Sequence, residues 1–166
     1  MFYKCKCLYD IKGLNYLDVS NGNNFSCMFL DCYQLQNIDG LSNWNVSNGN
    51  DFSEMFYCCY QLKNIDGLSN WNVSNGNNFS YMFYECYQLE NIDGLSNWNV
   101  SNGNDFSFMF SYCKLQNIDG LRNWNVSNGN NFSDMFYNCN QLENIDLFKQ
   151  SNFYKTCNYK NQLNLK

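Results

Sequence analysis

The side chains able to do chemistry here are ten cysteines, thirteen tyrosines and a regular series of aspartates, and none of the 166 residues is histidine. Without histidine the commonest general base and metal ligand is missing, and no cysteine–histidine or serine–histidine nucleophile pair can form. Cys5, Cys32, Cys59, Cys86, Cys113 and Cys139 make one evenly spaced series, and Asp39, Asp66, Asp93, Asp119 and Asp146 make another. A catalytic site needs different residue types converging on one point, whereas each series repeats one type along a line. No catalytic, cofactor-binding or metal-binding residue is assigned, and the chain reads as non-enzymatic. Cys5-Lys6-Cys7 and Cys58-Cys59 lack the paired spacing of a zinc site. Calcium needs six or more converging oxygens, which a line of aspartates does not provide.

The lines themselves come from repetition. Met28, Met55, Met82 and Met109 each open the dipeptide Met-Phe at successive intervals of 27 residues, and Met135 follows after 26. The copies run 1–27, 28–54, 55–81, 82–108 and 109–134, with a partial sixth from 135. Residues 37–50, 64–77 and 91–104 all read NIDGLSNWNVSNGN, and 117–130 differs from that string only at Arg122. Repeats of this length bury their apolar faces against one another and build scaffolds on which function is added separately. Differences cluster at Cys27, Glu54, Tyr81, Phe108 and Asp134, at the two residues after each Met-Phe, and at Gln36, Lys63, Glu90, Gln116 and Glu143. Such tolerant positions are expected to face solvent.

Within one copy, Leu89, Ile92 and Leu95 have the spacing of a short strand, with Ile92 inward and Asn91 and Asp93 outward. Gly94 reads as a bulge or a close backbone approach. Trp98 and Val100 are inward anchors, and Asn102-Gly103 is a turn dipeptide that readily takes positive φ. Asn104 or Asp105 is placed to cap a short helix in which Phe106, Met109 and Phe110 share a buried face. The missing residue between Cys113 and Leu115 accounts for the one interval of 26.

Stacked at the interstrand spacing of roughly 4.8 Å, six such coils form a rod about 29 Å long in which every position becomes a column. Trp44, Trp71, Trp98 and Trp124 make one column, which Leu17 continues. The column cysteines are expected to be buried free thiols, because parallel side-chain vectors leave their β-carbons too far apart for a disulfide. The off-column Cys7, Cys27, Cys58 and Cys157 are expected to be the more reactive. Aspartates at the same spacing repel by about 3 kcal/mol at an effective dielectric near 20, so each needs a partner, expected to be the N–H of its own bulge.

The string MFYECYQLENIDGLSNWNVSNGNNFSYMF resembles the repeat of BspA-like leucine-rich-repeat surface proteins, in which Met-Phe, a cysteine, a leucine and a strand of the form L-x-L recur. That resemblance implies a right-handed α/β leucine-rich-repeat solenoid, with short stacked parallel strands and one short helix per coil. It would occupy residues 1–147, about five and a half repeats, followed by a degenerate repeat or cap at 148–166. It also implies a bacterial-type surface or secreted protein acting in protein binding or adhesion. The inserted Gly40, Gly67, Gly94 and Gly120 depart from the family pattern. Met1-Phe2-Tyr3-Lys4-Cys5 aligns onto Met28-Phe29-Leu30-Asp31-Cys32, so the repeat pattern is already running at Met1, and neither a leader nor an anchor is expected within these residues. We expect a fragment of a longer exported protein, while a chain that stays in the cytoplasm is the competing expectation.

A net charge of −5 and a pI near 4.5 argue against nucleic acid and anionic membranes. No apolar run approaches the length of a transmembrane span. Partners are therefore sought among proteins or glycans, with end-to-end self-association, a structural repeat rod, as the alternative. A protein partner is expected to read Tyr57, Tyr60, Tyr81, Tyr84 and Tyr87 on the varied rim, because stiff amphipathic rings give contact area at small entropic cost.

Overall fold

In the computed structural model residues 1–143 are described, and the segment 144–166 lies outside that part. With it go Asp146, Cys157 and the region 148–166 read above as a degenerate repeat or cap.

Successive copies lie against one another in register. Backbone amides of alternate residues in the Phe-Ser-x-Met-Phe segment point to the next copy: those of Phe25, Cys27, Phe29 and Asp31 donate to the carbonyls of Asp51, Ser53, Met55 and Tyr57 at 2.8, 3.0, 2.9 and 2.9 Å. The same pattern joins Phe52 to Asn78, Phe79 to Asp105 and Phe106 to Asn131. Single parallel bridges mark the start of this segment, Asn24 with Asp51, Asp51 with Asn78, Asn78 with Asp105 and Asp105 with Asn131.

The intervening amides close local turns, which replaces the expected helix. Met82 N–H donates to Phe79 O and Cys86 N–H to Phe83 O, and the third residue of each turn, Tyr81 or Glu85, has a φ of 57° or 58°. A type II turn demands positive φ at that place. Non-glycine residues adopt it at a cost of about 1–2 kcal/mol. The equivalents Cys27, Asp31, Glu54, Cys58, Phe108, Tyr112, Asp134 and Asn138 share the conformation. Phe106, Met109 and Phe110 are nevertheless all fully buried, because consecutive turns also bring residues three and four apart to one side. Asp105 caps no helix. Its Oδ1 accepts from the Ser107 amide at 2.9 Å and hydroxyl at 2.6 Å, an Asx turn that starts the segment.

The expected strand is also shorter than its pattern. Asn91 and Asp93 face outward and Ile92 inward, as alternation requires, but Asp39–Leu41, Asp66–Leu68, Asp93–Leu95 and Asp119–Leu121 are 3-10 helices of three residues, and Lys12–Tyr16 is one of five. The described residues contain no α-helix. Gly94 sits at a close approach: a β-carbon there would lie 2.6 Å from the Ile65 carbonyl oxygen of the preceding copy. The Asn-Gly turns form, with Gly103 N–H donating to Val100 O at 2.8 Å, yet no glycine among the described residues has positive φ. Glycine is needed there because Phe106 packs against the turn.

Between these backbone ladders run the columns of the core. Phe25, Phe52, Phe79, Phe106 and Phe132 stack at 5.3–5.5 Å between ring centroids, as do Phe2, Phe29, Phe56, Phe83, Phe110 and Phe136 at 5.3–5.7 Å. The tryptophan rings stack at 6.3–6.4 Å within 3° of parallel. Each indole N–H donates to a leucine carbonyl one copy back, Trp44 to Leu14, Trp71 to Leu41, Trp98 to Leu68 and Trp124 to Leu95, at 2.8–3.0 Å. Leu17, at the head of this column, is exposed. Burial thus satisfies the polar edge of the ring as well as its faces.

Three tolerant positions are buried and not solvent-facing: Leu30, Cys58 and Ser111. They follow the Met-Phe pair, and the Ser111 hydroxyl donates to Asp134 O at the far end of its own copy, where the chain enters the next Phe-Ser-x-Met-Phe segment.

Candidate interaction surface

The positive-φ turns fix which side chains leave the core. Tyr81 and Phe108, at left-handed positions, and Tyr57 and Tyr84, beside left-handed Cys58 and Glu85, lie on one rim, and there the tyrosines of successive copies meet, while Cys58 itself is buried. Tyr57 stacks on Tyr84 at 4.9 Å, Tyr60 on Tyr87 at 5.1 Å, and Tyr81 lies 5.5 Å from Tyr84 and 6.3 Å from Tyr57. The structure therefore brings Tyr57, Tyr81 and Tyr84 into one cluster, with Tyr60 and Tyr87 in a parallel column beside Cys58. Tyr87 is exposed and the other four are half-buried.

Four further rings extend this surface. Tyr33 stacks on Tyr60 at 4.9 Å, Tyr81 on Phe108 at 4.7 Å, and Tyr112 meets Tyr84 and Tyr137 edge-on at 5.5 and 5.4 Å. Register carried the signal for them, since Phe108 stands one copy beyond Tyr81 and Tyr33 one before Tyr60. Tyr33 is half-buried like Tyr60, because stacking hides the ring faces. Lys6 places its ammonium 5.5 Å from the centroid of Tyr33 at the head of that column. In the fifth copy Lys114 follows the cysteine where Tyr87 follows Cys86, and it pairs with Glu90 at 2.6 Å.

The phenols are held protonated. Burial pushes Tyr57 up to about 12 and also raises Tyr81 and Tyr84. Tyr60 is raised first by its hydrogen bond with Cys58 and Tyr87 first by burial, with Glu85 adding to both. Burial pushes the Cys58 thiol up to about 12, and its sulfur lies 3.4 Å from Glu85 Oε2. Cys58 is therefore not among the reactive thiols, against the expectation from its place off the column, and Cys27, also raised by burial, donates weakly to Glu54 at 3.8 Å. Cys7 is exposed.

Within the cysteine column Cys32, Cys59, Cys86, Cys113 and Cys139 are buried free thiols. Their sulfurs donate to Phe2, Phe29, Phe56, Phe83 and Phe110 carbonyls at 3.0–3.3 Å. Cys5, in the first described copy, departs from the column pattern by being exposed.

Along the uniform Asn-Ile-Asp-Gly-Leu segments Asp39, Asp66, Asp93 and Asp119 are exposed. Their partner is not the amide of a bulge: the carboxamides of Asn37 and Asn91 donate to Asp39 and Asp93 at 2.8 and 3.0 Å, and Arg122 pairs with Asp119 at 3.2 Å. Among the described residues no helix is long and apolar enough to cross a membrane.

A family model described as "Mycoplasma protein of unknown function, DUF285" matches residues 1–92 and again 62–164. No curated protein matches the chain. No solved structure matches it either.

Proposed function

The chain belongs to the DUF285 family of repeat-bearing Mycoplasma proteins, and from that premise we propose that it is a non-enzymatic protein-binding or adhesion module of a bacterial surface protein. In this reading the stack is a leucine-rich-repeat-type solenoid of the BspA-like kind, with ladders of turns in place of the usual helices. The observation that carries the proposal is the strip of protonated, mutually stacked tyrosines, Tyr57, Tyr60, Tyr81, Tyr84 and Tyr87, on the rim where copies differ. Preordered aromatic rings lose little entropy on binding, and a partner gains contact area and phenol hydrogen bonds together. The partner is a protein; the uniform Asn and Asp face suits a repetitive ligand such as a glycan.

The test is binding of labelled chain to cell surfaces, compared between wild type, a variant with Tyr57, Tyr84 and Tyr87 changed to serine, and one with Asp66 and Asp93 changed to asparagine, each checked for fold by circular dichroism. Loss in the tyrosine variant alone is expected. Loss in the aspartate variant alone moves the site to the uniform face, and no binding by wild type removes the adhesion reading.

A second reading, a self-assembling repeat rod, is favoured by one observation. Copy pairs with copy through the same amide-to-carbonyl ladder at every step, Phe25 to Asp51, Phe52 to Asn78 and Phe79 to Asp105. Concentration-dependent polymerisation without ligand would select it.

A further inference from the structure

Five Asn-Gly dipeptides recur in this chain, at Asn21, Asn48, Asn75, Asn102 and Asn128. All five have the same backbone turn, in which the glycine N–H donates to a valine carbonyl three residues back at 2.8–3.0 Å. Four of them are also clamped through the side chain. The carboxamides of Asn48, Asn75, Asn102 and Asn128 donate to the carbonyls of Ser20, Ser47, Ser74 and Ser101, one copy back, each at 2.8 Å. Asn21 is exposed, as the other four are, but among the described residues no hydrogen bond holds its carboxamide. The following glycine differs as well: Gly49, Gly76, Gly103 and Gly129 are buried, whereas Gly22 is only half-buried.

From this contrast we infer that Asn21 is a site of spontaneous deamidation, and that the four equivalent asparagines are protected by the stack. The Gly22 amide nitrogen attacks Cγ of Asn21. The new N–Cγ bond closes a succinimide, the Cγ–Nδ2 bond breaks, and Nδ2 leaves as ammonia with the proton lost from the Gly22 amide. Water then opens the ring at either carbonyl, leaving aspartate or isoaspartate at position 21. The overall change consumes one water and releases one ammonia, and it needs no other reactant. Glycine matters because it puts no side chain beside the attacking nitrogen. Attack also requires the carboxamide to rotate towards that nitrogen and to shed Nδ2. In the four clamped copies the leaving nitrogen is bound to a carbonyl, and that bond must first break. One hydrogen bond of ordinary net strength slows the step by roughly fivefold. Conversion adds a negative charge to the outer face of the first copy, and isoaspartate adds a backbone methylene as well.

The test is peptide mapping of the full chain after incubation at neutral pH and physiological temperature, with a parallel incubation in urea. In buffer the conversion at Asn21, part of it isoaspartate, should outrun that at Asn48, Asn75, Asn102 and Asn128 by roughly fivefold or more, and in urea all five should converge. Equal rates in buffer would overturn the inference. Asn21→Gln should remove the mass change from its peptide; persistence would place it at Asn23 or Asn24 and refute the assignment. Hydrogen exchange across residues 19–25 separates the clamp from simple fraying. Amides there should stay protected relative to urea, and exchange as fast as in urea would show that local unfolding, not the missing clamp, sets the rate.

Discussion

The thiol of Cys86 points at the carbonyl oxygen of Phe56, one copy back, with sulfur and oxygen 3.3 Å apart. That contact uses the only donor of the thiol, removes it from solvent and directs it away from the next cysteine sulfur. Cys32, Cys59, Cys86 and Cys113 should therefore remain reduced and react slowly with an alkylating reagent in the native protein, quickly after denaturation. Cys5 and Cys7, both exposed, should react first. Mass spectrometry of alkylated peptides gives the order. Coil-to-coil disulfides among the four under non-reducing conditions would refute it.

Trp71 is sandwiched between Trp44 and Trp98 and donates to Leu41 O at 2.9 Å. Trp71→Ala opens a cavity shared by three copies and leaves that carbonyl without its donor, so it should cost about 3–5 kcal/mol. Lys63 is exposed, and Lys63→Ala should change stability by no more than about 0.5 kcal/mol. Urea denaturation of the two variants measures the difference.

Repetition made the columns legible. Trp44 and Trp71 stand 27 residues apart with identical neighbours, and Phe29 and Phe56 stand 27 apart, each after a methionine, so any in-register stack superposes them. Phe106, Met109 and Phe110 were legible as a buried trio, but their spacing is common to an α-helix and to consecutive turns, and spacing alone does not separate the two. Nothing in Tyr81 or Glu85 announces positive φ, a conformation these residue types avoid. They take it because turn and ladder together require it. Variation suggested exposure for Leu30 and Ser111, yet both are buried, and the Ser111 hydroxyl reaches Asp134 O, a contact between segments far apart along the chain that local variation does not announce. On the rim, the shared register of Tyr57 and Tyr84 was readable, whereas the half-burial of the rings was not, because each ring is covered by its equivalent in the adjoining copy.

Stability should decline on the alkaline side. Burial raises Cys32 from 9.0 to about 11, Cys139 from 9.0 to about 12 and Tyr57 from 10.0 to about 12. In that window the folded protein binds more protons than the unfolded chain, so the free energy of unfolding falls as pH rises. The contribution is fully present below 9.0 and is lost progressively towards about 12. Urea midpoints should be insensitive to these groups below pH 9.0 and decrease above it. Phenolate absorbance should develop late in the native protein and earlier in urea; coincident curves would refute the burial of Tyr57.

Gly94 and Gly13 occupy the same place in the repeat with opposite surroundings. A β-carbon on Gly94 would meet Ile65 O at 2.6 Å, Ile65 C at 3.0 Å and Asp66 Cα at 3.2 Å, all backbone atoms, whereas one on Gly13 would meet nothing within 4 Å. Backbone has no rotamer with which to move aside, so Gly94→Ala must separate two copies and strain the ladder on either side. The expected cost is about 1–3 kcal/mol. Gly13→Ala adds no clash inside the 3-10 helix Lys12–Tyr16, and by restricting the unfolded chain it should stabilise by up to about 1 kcal/mol. Both values follow from urea unfolding of the single variants. A Gly94→Ala protein as stable as wild type would mean that the copies do not approach as closely as this geometry requires, and the same close approach underlies the burial of every column.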